Sequence, residues 1–249
     1  MSALFEYALR MGDSCLVLGH RVSEWCGHAP AIEEDIALAN TALDLIGQAR
    51  MWLDLAGELE GKGRSADDLA YLRDTRAFRN LLLVERPNTD MAYTLVRGLL
   101  FDLWHYHTLG ALKGSGDERV AAIAEKALKE VSYHLQRSAD LVIRLGDGTR
   151  ESHDRMQTAL DALWPYTGEM FQEDAVDRTL AADGVGPASG TVEPLWNADL
   201  TRLLEQATLA RPKSAAFQKG GKSGVHTEAL GYVLADMQFL QRAYPGAKW

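Results

Sequence analysis

The chain is poor in the residues that build several common sites. Two cysteines in 249 residues cannot form a disulfide framework. Cys15 and Cys26 stand eleven positions apart on one predicted helix, too far to bridge within it. We read both as core thiols of a reducing compartment. Positive charge is also scarce. Lys and Arg total 26 against 35 Asp and Glu, a formal net charge of −9. That excludes a protein that coats nucleic acid or an anionic membrane. No apolar run approaches the ~18 residues that a membrane span needs. The opening MSALFEYALRMGDS carries Glu6 and Asp13 and lacks the basic start of a signal peptide. These absences point to a cytoplasmic protein.

The usual catalytic motifs are missing too. No G-x-S-x-G elbow occurs, and no histidine neighbours either cysteine to activate it. GGKSG (220–224) has the end of a phosphate loop, but position 216 is Ala and no strand precedes it. Lys219 and Lys222 read as part of a solvated turn. His226-Thr227-Glu228 matches the H-x-E of zinc deaminases without their P-C-x-x-C, and we read it as a helix start.

What the sequence does contain is helical periodicity. Leu4, Ala8, Met11, Cys15, Leu18, Val22 and Trp25 recur at three- and four-residue steps, one face of a helix. The pattern predicts long helices near 3–26, 31–59, 90–112 and 118–145, the third capped by Asp90. A short helix after Asp67 leads into a connecting segment, RAFRNLLLVERPN. Further helices are expected near 151–171, 194–210 and 226–244. No strand pair and no repeat is evident. The expected fold is all-α: one domain over 1–249, a ferritin-like four-helix bundle (about 3–146) with additional C-terminal helices (about 151–249). Phe101, Trp104 and Tyr106 fall at helical spacing and read as core.

KEVSYHLQRS (129–138) raises the question of chemistry. Di-metal carboxylate bundles take a Glu from each of two helices and a Glu-x-x-His from each of the other two, so that both side chains of a pair reach one point. Here the first helix offers Glu24. The second offers Asp44, with Gly47 three residues on. The third offers Asp102, followed by His105. The fourth offers His134, but Val131 stands where the Glu belongs. Glu130 cannot substitute, because one residue turns a side chain about 100° around the helix. The pattern reads as a lost metal site. Glu24, Asp44, Asp102 and His134 are its degenerate remnants, expected to lie in a buried polar network.

Several long segments carry a resemblance: LRMGDSCLVLGHRVSEWCGHAP, ALANTALDLIGQAR, NLLLVERPN, KEVSYHL and GGKSGVHTEALGYVLADMQFLQR. In these the chain resembles the structural, C-type subunits of bacterial ring-1,2-epoxidases that act on phenylacetyl-CoA in phenylacetate degradation. The resemblance implies a ferritin-like fold without a competent metal site. It implies a ferritin-like catalytic subunit as partner, which holds the iron, and a complex completed by other subunits and a reductase. This chain would bind no cofactor and perform no catalysis itself. The resemblance also implies acyl-CoA contacts at Ala77, Phe78, Arg79 and Asn80, and at Arg178, Thr179 and Leu180. Two other readings stand beside it. The chain is itself a di-metal oxygenase with an atypical site, or it is a free-standing helical acyl-CoA binder.

Overall fold

The computed structural model describes residues 2–247, and among them it contains helices and no strand. The fold is all-α and ferritin-like in class, with two long helical hairpins. One pairs α1 (Ala3–Ser23) with α2 (Ile32–Glu60); the other pairs α4 (Met91–Leu112) with α5 (Glu118–Gly146). The remaining helices are α3 (Ala66–Tyr71), α6 (Arg150–Leu163), α7 (Ala175–Ala182), α8 (Val192–Gln206) and α9 (Glu228–Ala243). The chain clusters into two compact units, residues 1–87 with 219–249, and residues 88–218.

In the first unit, glycine sets how closely α1 meets α2. A Cβ on Gly12 would lie 3.0 Å from Leu53, and one on Gly19 would lie 3.1 Å from Ile46. Trp52, Leu45, Leu53 and Ala8 fill the seam with almost no exposure. Ser2 accepts the Phe5 amide to start α1, and Gly61, with φ of 68°, ends α2 in the left-handed conformation.

Residues 78–85 run through this unit without helical structure, yet Phe78 and Asn80 to Glu85 are all buried. A buried loop must find partners for its backbone. Asp13 accepts the Arg79 amide at 2.8 Å, and Ser14 Oγ accepts the Leu81 amide at 3.2 Å. Arg73 donates to the Ala77 carbonyl at 2.9 Å, and Arg21 donates to the Glu85 carbonyl at 3.0 Å. His226 faces the Phe78 carbonyl at 3.0 Å through Nε2, which must donate there. Asp13 is also ion-paired to Arg73, with both side chains buried.

In the second unit, Asp90 caps α4 by accepting the Tyr93 amide, as expected, and Asp117 caps α5. The buried face of α5 steps through Val120, Ala124, Ala127, Val131, His134, Ser138 and Val142, a helical stripe. α8 docks on α4 through Trp196, whose indole N–H donates to the Leu100 carbonyl at 3.0 Å. Phe101 is fully buried, and Trp104 and Tyr106 are half-buried.

Four expectations need correction. α1 stops at Ser23, so Cys26 lies in the following turn and is exposed; Cys15 alone is a core thiol. The helix expected over 151–171 ends at Leu163, because Pro165 has no amide N–H to donate to the carbonyl four residues back, and two 3₁₀ turns follow. α7 was not anticipated; Asp174 and Asp177 form a capping box at its start. The last helix begins at Glu228 rather than His226.

The ion pair under the buried loop generates a stability prediction. Asp13→Ala leaves the Arg73 guanidinium buried without its counter-charge and should cost about 3–5 kcal/mol in urea unfolding. Glu6→Ala breaks the half-exposed Arg79 pair and should cost under ~1 kcal/mol. Equal losses for the two variants would show that the buried pair does not anchor the loop.

Candidate functional site

The E-x-x-H spacing on α5 carries an aliphatic residue first and a polar one second: Val131 is 0% exposed and His134 2%. The structure shows the same apolar–polar spacing on α2, at a position the sequence reading missed. Leu45 and Gln48 are three apart and buried, and the Cys15 thiol lies 3.9 Å from Gln48 Oε1. Sequence reasoning had placed Asp44 and Gly47 inward. Asp44 is half-buried and Gly47 is exposed, so the inward polar position of α2 is Gln48. The available signal was Leu45-x-x-Gln48, an apolar–polar pair with the spacing of Val131-x-x-His134.

Glu24 also departs from expectation. It is the C-cap of α1, pairs with Arg21 at 2.8 Å, and its side chain is 43% exposed. Asp102 and His134 are buried, whereas Glu24 and Asp44 are not. A helix that ends at Ser23 carries Glu24 out at its rim.

Asp102 and His134 belong to a polar cluster between α4 and α5. Ser138 Oγ donates to Asp102 Oδ2 at 2.8 Å. Burial pushes the Asp102 carboxyl up to about 6, opposed by nearby His134, the Ser138 hydroxyl and Arg137. Burial, reinforced by His134, pushes His105 down to about 3. His105 is therefore neutral at physiological pH, with its ring against Phe101 at a centroid distance of 5.0 Å. Neither i, i+3 pair fits the Glu-x-x-His pattern of a di-iron centre: Leu45 and Val131, at the first positions, offer no donor. Among the described residues, no three His, Cys, Asp or Glu side chains converge as metal ligands.

The comparison with known proteins agrees with the segments noted above. A family model described as "Phenylacetic acid catabolic protein" matches residues 1–249. The chain belongs to that family. A relative from Escherichia coli (strain K12), one of the subunits of its 1,2-phenylacetyl-CoA epoxidase, is 47% identical over 249 residues, all of both chains.

In this family member, the segments expected to touch acyl-CoA lie in different units. Ala77 is half-buried, and Phe78 is fully buried with the Arg73 guanidinium 4.3 Å above its ring. Stacking Phe78 on an adenine would require drawing it out from beneath Arg73. Arg79 bonds Glu6 at 3.1 Å and the Arg76 and Phe78 carbonyls at 2.8 Å. Asn80 is buried and donates to Glu85 at 3.0 Å. Arg178 and Thr179 lie exposed on α7, where Thr179 Oγ1 donates to the Ala175 carbonyl, and Leu180 is buried.

His226, which the sequence reading took as part of a helix start, has a different part in the structure. Its side chain is 1% exposed, and it bridges Glu85 Oε2, at 2.9 Å, and the Phe78 carbonyl. Glu85 also accepts the Thr227 amide at 2.6 Å. This pair ties the residues before α9 to the buried loop. Its two partners are 141 positions apart, and neither has a neighbour in sequence that announces the other.

The two shifted groups predict opposing pH effects. The folded chain holds the Asp102 proton to about 6, against 3.8 ordinarily, so this group's stabilisation falls as pH rises through 4–6. His105 resists protonation down to about 3, so its contribution rises with pH from about 3 to 6.5. Asp102→Asn removes the first effect and keeps the second. The stability of the variant minus that of the parent should grow between pH 4 and 6 by roughly 1 kcal/mol per unit. A difference that stays flat in chemical denaturation would show that Asp102 is not held protonated.

Proposed function

We propose that this chain is a non-catalytic, structural subunit of a multicomponent phenylacetyl-CoA ring-1,2-epoxidase of the cytoplasm. It stabilises a di-iron catalytic subunit of similar fold and contributes to acyl-CoA binding. The observation that carries the reading is the buried aliphatic residue at the first position of both i, i+3 pairs, Leu45 and Val131. Catalytic metals need a complete, oriented ligand set, and neither aliphatic residue can donate. The relative's name, which makes it one subunit among several of an epoxidase, supports membership of an assembly. The alternative of an atypical di-metal site in this chain has Glu24 against it, since that carboxylate is occupied at the rim of α1 by Arg21.

No cofactor is assigned to this chain; iron belongs to the catalytic partner. Arg79 and Arg178 are the groups suited to the phosphates of phenylacetyl-CoA, because guanidinium forks match phosphate oxygens. With Phe78 under Arg73, the first segment contributes through Arg79 and backbone rather than a stacking ring. The reductase and other subunits supply electrons and further architecture.

Reconstitution tests this reading. The chain alone, with reductase and iron supplied, should turn over no phenylacetyl-CoA. Mixed with the catalytic subunit it should form a complex that survives gel filtration, consistent with an interface above about 1,200 Å². Epoxidase activity of the isolated chain, or two peaks that never merge at micromolar concentration, refutes the proposal.

A further inference from the structure

A hollow of about 670 Å³ opens in the first unit, lined by Thr75, Arg76, Ser223, Gly224, Val225 and His226. Its size falls in the range of roughly 300–1,000 Å³ typical of small-molecule sites. One wall is the GGKSG turn, which has the end of a phosphate loop without its first glycine or its strand. The turn spends its own amides internally. The Ser223 and Val225 amides donate to the Gly220 carbonyl at 2.9 Å, and the Gly224 amide donates to the Gly221 carbonyl at 3.0 Å. A ligand here must therefore be held by side chains.

Charge decides what kind of ligand fits. The carboxylates bonded to the lining segments and their neighbours each have a partner already. Asp13 pairs with Arg73, Glu6 with Arg79, Asp74 with Arg242 and Glu85 with His226. Arg76 is exposed, and among the described residues no carboxylate pairs with it. In a chain of net charge −9, this wall carries an uncompensated guanidinium.

The walls are also held in place before any ligand arrives. Arg79 Nη1 donates to the Arg76 carbonyl at 2.8 Å. Gly224, with φ of 81°, lies against the same carbonyl, where a Cβ would come within 2.3 Å of the oxygen. His226 is fixed beneath by Glu85 and the Phe78 carbonyl. Preset walls lower the ordering cost of binding.

The donors favour a tetrahedral anion over a planar one. A carboxylate is satisfied by a guanidinium fork alone, whereas a phosphate has a further oxygen to meet. Thr75 offers a hydroxyl from the Arg76 side. Ser223 Oγ, which donates to the Gly220 carbonyl at 2.9 Å, offers a second from the turn once its hydrogen rotates. Val225, 65% exposed, gives the rim an apolar surface, and the volume leaves room for an organic group beside the phosphate.

We propose that this hollow binds the phosphate of a phosphomonoester, with Arg76 as the fork and Thr75 and Ser223 as hydroxyl donors. The inference does not rest on the acyl-CoA reading.

Calorimetric titration of the full chain tests it, with adenosine 5′-monophosphate, adenosine and inorganic phosphate as probes and circular dichroism to verify folding. The monophosphate should bind at least ~10-fold tighter than either of the others, and more weakly as salt rises. Arg76→Gln alters an exposed residue, should fold normally, and should weaken monophosphate binding at least ~10-fold. Arg76→Lys keeps the charge without the fork and should fall between that variant and the parent. Arg150→Gln on α6, where the side chain is 95% exposed, should bind like the parent. No binding of the monophosphate, equal binding of adenosine, or parent-like binding by Arg76→Gln overturns the assignment. An equal loss with Arg150→Gln does so too, since it reports general charge. Inorganic phosphate that binds as tightly as the monophosphate confines the hollow to free phosphate and overturns the phosphomonoester. The probes carry no acyl group, so these failures leave the proposed function standing.

Discussion

A loop that runs through a protein interior must have its peptide groups met by something other than a helix, and much of the first unit is arranged to do this. Asp13, Ser14 and Arg21 on α1, Arg73 beyond α3, and His226 before α9 all bond residues 77–85. Their own charges must be balanced in turn. Asp13 meets Arg73, and Glu85 meets His226. His226 Nε2 faces a carbonyl and Nδ1 a carboxylate. The network is costly to break at any one member, because each deletion leaves a buried group unmet. It also fixes the backbone from Ala77 to Asn80.

The helices were legible because periodicity, capping residues and breakers are local. Asp90 at the start of α4 and the Gly-rich breaks around residue 61 and residue 114 mark boundaries within a residue or two of those observed. The loop network was not legible, since Asp13 with Arg79 and Glu85 with His226 are pairings over 66 and 141 positions. α7 escaped notice because eight residues give too few turns for a periodic signal. Cys26 and Glu24 were misplaced for one reason: the apolar rhythm of α1 continues to Trp25, whereas the helix ends at Ser23.

The candidate site was half legible. Val131 and His134 could be paired from sequence because the second element of the motif survives. On α2 the sequence reading took Asp44 and Gly47 as the pair and did not consider Leu45 and Gln48. One residue of register turns a helix by about 100°, which separates a buried position from an open one. The structure resolves this by burying Gln48 and exposing Gly47. The revised pairs make the substitution symmetrical: in the second helix of each hairpin, an aliphatic residue stands one turn before a hydrogen-bonding one. Aliphatic residues there offer no metal donor, and they add apolar burial of about 1.5–3 kcal/mol each.

Metal analysis tests most directly the proposal that this chain holds no iron site. The chain, expressed alone in iron-rich medium, and its complex with the catalytic subunit would both be assayed for iron per polypeptide. The account predicts sub-stoichiometric iron in the chain alone, a Tm unmoved by added iron(II) or by chelator, and iron in the complex in proportion to the catalytic subunit. Stoichiometric iron in the isolated chain, with a Tm that falls on chelation, would contradict it.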